Sequence, residues 1–192
     1  MYINKSMNYI CGPLWDRRIV NIDQQGKVGI VMSGGLDSYV LYHLLDDPIV
    51  FNIKREDRFD NADRVQKLIN GNVIEINEVS TNHWDRVPLT IGKLLKEHNV
   101  DSLFCGINHT PPIDHFPEFD TDAKPDRPWR FEDKKVKVPF LHLYKYHIID
   151  LAYQLDLDLS DTMSCLHNLD THCGECWQCK EREWGFEQMK KN

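Results

Sequence analysis

Apolar residues in this chain fall in short runs separated by longer polar stretches, and the two kinds of stretch predict strands and helices in turn. Lys27-Val28-Gly29-Ile30-Val31-Met32, Ile49-Val50-Phe51-Asn52-Ile53, Asn72-Val73-Ile74-Glu75-Ile76 and Ser102-Leu103-Phe104-Cys105-Gly106-Ile107 read as short buried strands. Between them, apolar residues recur at helical spacing. A helix is expected over Tyr39–Leu45, and another over Asn61–Asn70 with Val65, Leu68 and Ile69 inward and Gly71 closing it. A third over Val87–His98 carries Leu89, Ile91, Leu94 and Leu95. Tyr144–Leu155 places Ile148, Ile149, Leu151, Ala152 and Leu155 on one side of a fourth. Repeating strand–helix units at this spacing predict an α/β fold, a doubly wound and mainly parallel sheet with right-handed crossovers. Val136–Phe140 reads as a short strand or extended piece. The first 26 residues are mixed, with Ile19–Ile22 as an edge strand and Cys11-Gly12-Pro13 as a turn, and no chemistry is assigned to them.

One stretch sits where this pattern changes from strand to helix: Ser33-Gly34-Gly35-Leu36-Asp37-Ser38. A Gly-Gly turn between a buried strand and a helix suits a phosphate. Without Cβ atoms the backbone N–H groups can close on phosphate oxygens. The serine hydroxyls add donors, and the helix N-terminus adds partial positive charge. Asp37 stands where a carboxylate could hold a metal-bound or nucleophile-bound water. The plain alternative is a tight turn with a serine cap. No G-x-x-x-x-G-K-[ST] occurs, so this is not a Walker A loop.

Composition narrows the classes. The 192 residues allow one domain with a real core. Apolar content of 41% and charged content of 28% describe a globular chain. The net charge of −7 argues against a nucleic acid gripped by its backbone. No apolar run reaches the ~18 residues of a membrane span. The first twenty residues lack the apolar centre of a signal peptide, so a cytoplasmic location without membrane association is expected.

Further candidate chemistry follows the strands. Lys54, Arg55 and Arg58 trail the second strand, at the sheet end that faces a ligand crevice in open parallel sheets, and are either phosphate contacts or a solvated turn. Asn108 to Arg130 holds five prolines, with His109, His115, Asp114, Glu118, Asp120 and Asp122 among them. A stretch of that length without periodicity reads as a functional loop, and a substrate lid is the attractive assignment. The tail carries Cys165, Cys173, Cys176 and Cys179, spaced C-x7-C-x2-C-x2-C. Four thiolates satisfy a tetrahedral Zn²⁺ with no open position, which makes the site structural. Cluster-binding spacing is similar, so an iron–sulfur centre stays open, and His167 or His172 could replace one cysteine. Cys11 reads as a buried small hydrophobe.

S-G-G-x-D-S resembles the pyrophosphate loop of ATP pyrophosphatases, which cleave ATP between its α and β phosphates. With the tail residues Thr162, Ser164, Cys165, Cys173, Gly174, Cys176, Cys179, Arg182, Gly185 and Phe186, it resembles the 7-cyano-7-deazaguanine synthase family. The similarity spans Lys27 to Phe186. Departures are local. The family's Gly-Tyr-Pro-Asp-Cys-Arg stretch is replaced within Gly106–Phe119, its Pro-Gly-Arg-Asn element survives at best as Asp85-Arg86-Val87-Pro88, and the span from Ile76 to Val87 is short.

The resemblance implies an adenine-nucleotide α-hydrolase-like fold with a C-terminal zinc segment. It also implies ATP, Mg²⁺ and Zn²⁺ as cofactors, small-molecule partners and a homodimer. It divides the chain into an extension at 1–26, an ATP-pyrophosphatase domain at 27–160 and a four-cysteine segment at 161–192. The implied reaction converts 7-carboxy-7-deazaguanine and ammonia to the nitrile through adenylated intermediates. Asp37, Ser33 and Ser38 would be catalytic, and Met32, Ser33, Gly34, Gly35, Leu36, Asp37, Ser38 and Tyr39 would bind the nucleotide. Other readings stay open: a variant that stops at the amide, a related enzyme adenylating a different carboxylate or carbonyl such as a protein terminus or a tRNA base, and a non-catalytic nucleotide-binding module.

Overall fold

A computed structural model describes residues 3–54, 61–79, 86–112, 133–167 and 170–191. Arg55, Arg58 and most of the expected lid, from 113 to 130, lie outside these residues. Seven strands and five helices are described: β1 (Ile3–Cys11), β2 (Arg18–Gly26), β3 (Val28–Val31), α1 (Leu36–His43), β4 (Ile49–Lys54), α2 (Ala62–Ile69), β5 (Val73–Asn77), α3 (Arg86–His98), β6 (Ser102–Cys105), β7 (Val136–Lys137), α4 (Lys145–Gln154) and α5 (Trp177–Met189).

The central sheet has five parallel strands in the order β5-β4-β3-β6-β7. The chain starts it in the middle at β3, builds outward through β4 and β5, then returns to the other side of β3 with β6. That reversal lies between β3 and β6, where open α/β sheets leave a crevice beyond the carboxyl ends of the strands.

Both faces of the sheet are covered. Val28 and Ile30 of β3 and Met32 just after it face one core, with Val50, Phe104, α1 residues Leu36, Val40 and Leu41, Val65 of α2 and Ile148 and Ile149 of α4. Val31 and Phe51 face the other, against Ile91, Leu94 and Leu95 of α3. The fold class is therefore the doubly wound one that the pattern predicts. Boundaries differ: α1 begins at Leu36, three residues before the expected start, and β6 ends at Cys105. Asn70 takes the left-handed turn that closes α2 (φ 47°), one residue before the expected Gly71.

Two elements exceed the sequence reading. Residues 3–26 form an antiparallel hairpin of two nine-residue strands paired from Ile3↔Gly26 to Cys11↔Arg18, where only a short edge strand was expected. Its outer face carries Asn8 and Asn21, poor strand formers that mask the alternation of Val20, Ile22 and Gln24 inward. The other is α5, whose buried residues Cys179, Glu181, Trp184, Gly185 and Gln188 include few apolar side chains, so no amphipathic stripe announces it. Among the described residues no helix is long and apolar enough to cross a membrane.

The hairpin connection is locked to the start of α4. The Asp16 carboxylate accepts from Arg18 at 2.9 and 3.1 Å and from the Tyr146 hydroxyl at 2.5 Å. Fully buried His147 lies beneath it. Its Nδ1 accepts the Tyr144 N–H at 3.1 Å and its Nε2 donates to the Asp16 carbonyl at 3.0 Å, so the neutral ring satisfies both neighbours. Burial lowers this imidazole from the usual 6.5 to about 4.

The unfolded chain takes up that proton near pH 6.5 and the folded chain only near pH 4. The stabilisation from a neutral His147 is complete above pH 6.5 and drains as pH falls toward 4, by about 2–3 kcal/mol. Denaturant melts across this window should show the loss, and His147→Gln should flatten it; equal slopes in both proteins would dismiss the ring as its source.

Candidate active site

The loop after β3 is shaped by its glycines and tied down by its serines. Gly34 has φ +76°, which L side chains rarely adopt. Gly35 is the N-cap of α1. Ser38 Oγ donates to the Gly35 carbonyl at 3.1 Å and accepts the Ser33 N–H at 3.3 Å. Buried Ser38 thus braces the loop onto the first turn of α1, whereas Ser33 is exposed. Two side chains hold the loop from the β4 side. Asn52, in the buried part of β4, donates to the Met32 carbonyl at 2.8 Å and to Asn61 Oδ1 at 2.9 Å, and Asn61 donates to the Ser33 carbonyl. From the β6 side Gly106 lies against the loop: a Cβ there would stand 2.9 Å from the Asp37 carbonyl carbon and the Ser38 nitrogen.

Asp37 reaches a partner 108 residues away. Lys145 Nζ donates to its two carboxylate oxygens at 2.7 and 2.6 Å and also lies 3.4 Å from Glu181. Lys145 and Glu181 side chains are each 4% exposed and Asp37 is 19% exposed. Asn108, just past β6, donates to Glu181 at 2.7 Å. Burial alone would lower the Lys145 pKa, but Asp37 and then Glu181 outweigh it and raise it, so the ammonium stays charged. Burial raises the Glu181 carboxyl. One buried cation therefore joins the loop, α4 and α5.

The four cysteines meet. All four Sγ atoms lie within 4.8 Å of one another, with Cys173 and Cys179 at 3.9 Å. A tetrahedral ion with Zn–S bonds of about 2.3 Å spaces its sulfurs by about 3.8 Å. A cubane seats its thiolates on separate irons and spreads them wider. The set fits one ion. Gly174 at φ +74° turns the chain between its ligands, and the N–H groups of Cys176 and His167 point at Cys173 and Cys165 sulfurs at 3.3 and 3.4 Å. His172 instead accepts the Ser164 N–H at 3.3 Å. The segment also touches the loop, since the Met163 N–H donates to the Gly34 carbonyl at 2.8 Å. Arg182 holds its lead-in through Thr162 Oγ1 and the Leu159 carbonyl, both at 2.8 Å.

A cleft of about 270 Å³ opens between these parts. Met32, Ser33, Gly35 and Asp37 form its floor, and Lys145, Asn108 and Glu181 one side. Cys165 and Leu166 close another, and Ile53, Asn61 and Arg64 the β4 side. Not every residue expected at the site faces it. Leu36 is buried in the core, and Tyr39 packs against that core with its ring edge-on to His43. Lys54 ends β4 exposed, and His109 is exposed with its ring against Tyr144. Sequence reasoning missed Lys145, Glu181, Asn108, Asn52 and Asn61. Only Asn52 left a signal there, as an amide inside an apolar strand.

Comparison with known proteins places these features in a family. Residues 94–190 match the family model described as queuosine biosynthesis protein QueC. That range carries Lys145, Glu181 and all four cysteines and begins after the loop. A 7-cyano-7-deazaguanine synthase from Nitratiruptor sp. is 43% identical over 56 residues, 29% of this chain and 26% of that protein. One from Campylobacter jejuni subsp. jejuni serotype O:6 is 29% identical over 113 residues, 51% of this chain and 46% of that protein. The chain thus spans less than half the length of these relatives. A solved structure, the U34-tRNA thiolase NcsA from Methanococcus maripaludis with its [4Fe-4S] cluster, aligns at a TM-score of 0.46 and 15% identity, covering 86% of this chain and 66% of that one; so loose a likeness bears on no chemistry.

Lys145→Met should destabilise the protein by about 3–5 kcal/mol, because it strands buried Glu181 beside Asp37. Adding Glu181→Leu should restore part of that loss in urea melts, and a Lys145→Met protein as stable as wild type would remove the network from the fold. Chelation of metal-loaded protein should raise amide exchange at Ser33–Asp37 together with Cys173–Cys179, since Met163 joins the two; a change confined to the tail would show them independent.

Proposed function

Since the chain belongs to the QueC family of queuosine biosynthesis proteins, we propose that it makes 7-cyano-7-deazaguanine from 7-carboxy-7-deazaguanine, ammonia and ATP. The observation that carries this reading is the cleft itself, with a glycine-bent loop and a buried ammonium on one side and a four-cysteine segment on another. ATP lies along the loop, and the substrate carboxylate attacks its α phosphate, releasing pyrophosphate. A carboxylate oxygen is a poor leaving group, and adenylation corrects that. Ammonia then displaces AMP to give the amide. A second ATP activates the amide oxygen, and loss of AMP leaves the nitrile.

Each residue has a task in this scheme. Backbone N–H groups of Gly34 and Leu36 meet the oxygens on which negative charge builds, while the Ser33 and Gly35 N–H groups bond within the loop to Ser38 Oγ and Ser33 Oγ and fix its shape. Ser33 adds a hydroxyl at the cleft, and Ser38 holds the loop's shape. Met32 and Tyr39 flank it. Lys145 lies within reach of the same oxygens once Asp37 turns toward a cation. Asp37 is the loop carboxylate that faces the cleft, so it fits Mg²⁺ arriving with the nucleotide; the ion would neutralise phosphate charge. The cysteines hold Zn²⁺ as a structural site and take no part in bond making. In this scheme 27–160 handles the nucleotide, 161–192 closes the cleft and 1–26 is an extension. The partners are small molecules in the cytoplasm, without direct nucleic-acid contact, and the enzyme is a homodimer.

Purified protein with Mg-ATP, ammonium and 7-carboxy-7-deazaguanine should form AMP and a product of the nitrile's or amide's mass. Asp37→Ala should abolish AMP formation while metal content stays intact, and it should lower the melting temperature because it leaves buried Lys145 with Glu181 alone. AMP formed only with another acceptor would assign a different adenylating enzyme, and wild-type turnover by Asp37→Ala would remove the loop from the mechanism.

A further inference from the structure

The wall of the cleft next to Asn108 continues along α5. Trp177, Gln178 and Glu181 all line the cleft. Positions three and four apart share a helix face, so Gln178 and Trp177 each neighbour Glu181, and four residues rise about 6 Å along the axis. That is about the length of a fused bicyclic ring. Trp177 and Glu181 therefore leave the helix one such ring apart along its axis, both toward the cleft. Glu181 is committed to Lys145 and Asn108, whereas Gln178 offers a donor and an acceptor to whatever enters.

Neither residue is required by the cysteines on either side. C-x2-C spacing needs two intervening residues of any kind. Yet Trp177, between buried Cys176 and the cleft, is 41% exposed. A large ring at the lip of a polar cleft, with an amide beside it, suits a flat ligand with hydrogen-bonding edges.

We propose that this face of α5 is the platform for the acceptor heterocycle. The indole of Trp177 stacks on a fused nitrogen bicycle, and the Gln178 amide bonds to its edge. The carboxyl substituent points along the helix toward Asp37 and Lys145, where it meets the nucleotide. The adenine of ATP lies along Ile53 and Val87, apolar lining residues that belong to the α3-side cluster and not to α5, so the two heterocycles do not compete for the indole. The assignment rests on the proposed reaction for the identity of the bicycle, but the stacking itself is independent of turnover.

The test measures binding and turnover separately. Calorimetry with metal-loaded protein gives the affinity of 7-carboxy-7-deazaguanine, of 7-deazaguanine as a probe that cannot react, and of ATP. Trp177→Ala should weaken both bases roughly five- to a hundredfold, the range for loss of one aromatic stack. ATP affinity, metal content and melting should stay within twofold of wild type. Trp177→Phe should recover most of the affinity, and Gln178→Leu should weaken the bases without moving ATP. Unchanged base affinity in Trp177→Ala, or an equal loss for ATP, overturns the platform. If wild type binds the bases through Trp177 yet forms no AMP with the carboxylic acid, the reaction falls and the platform stands. If wild type forms AMP while Trp177→Ala keeps its KM for the acid, the platform falls and the reaction stands. If neither base binds wild type, both fall.

Discussion

The buried ammonium of Lys145 is the point on which this architecture turns. It lies between Asp37 at 2.6 Å and Glu181 at 3.4 Å, and those three residues come from the loop, α4 and α5. Removing any one leaves charge in a place where water cannot reach it easily, and the penalty exceeds that of an ordinary surface pair. Such a site adds little net stability over a well-packed apolar one, yet breaking it is costly. It can be satisfied only when the loop, the α4 start and α5 are all in place, and that same condition forms the cleft.

Close backbone approach supports the same arrangement. Gly106 admits the first turn of α1 against the end of β6, and Gly185 admits α5 against the stem of Lys145, where a Cβ would stand 2.7 Å from Cγ. Both glycines sit where the sheet changes direction or where the second layer closes on it. The cysteine segment closes on the loop from outside. Its lead-in bonds to Gly34, so the four-cysteine cluster, loop shape and the buried ion pair are three parts of one packing arrangement.

The hairpin holds α4 along its length. Gly12 N–H donates to Asp150 at 2.8 Å, Gln154 donates to the Ile10 carbonyl at 2.9 Å, and His147 and Tyr146 take Asp16. Held between the hairpin and α5, α4 cannot shift without breaking one set of contacts. Lys145, its first residue, is positioned by that clamp.

What the amino-acid sequence determined by itself is local. Four-to-six-residue apolar runs mark β3 to β6, and the spacing of Ile148, Ile149 and Leu151 marks α4, because strand and helix periods are written in neighbouring residues. The glycine-rich bend and the four-cysteine spacing are equally local and equally legible. The hairpin and α5 were not, since amide-bearing strands and a helix burying glutamate, glycine and glutamine lack those periods. The rest was decided only by tertiary structure. No pattern near Lys145 tells that its partner is 108 residues distant, or that Glu181, two positions past a cysteine, faces a lysine rather than solvent. A buried charge is tolerated only when an opposite charge reaches it through space, and that distance exists only once the sheet, its crossovers and the cysteine segment have closed on one another.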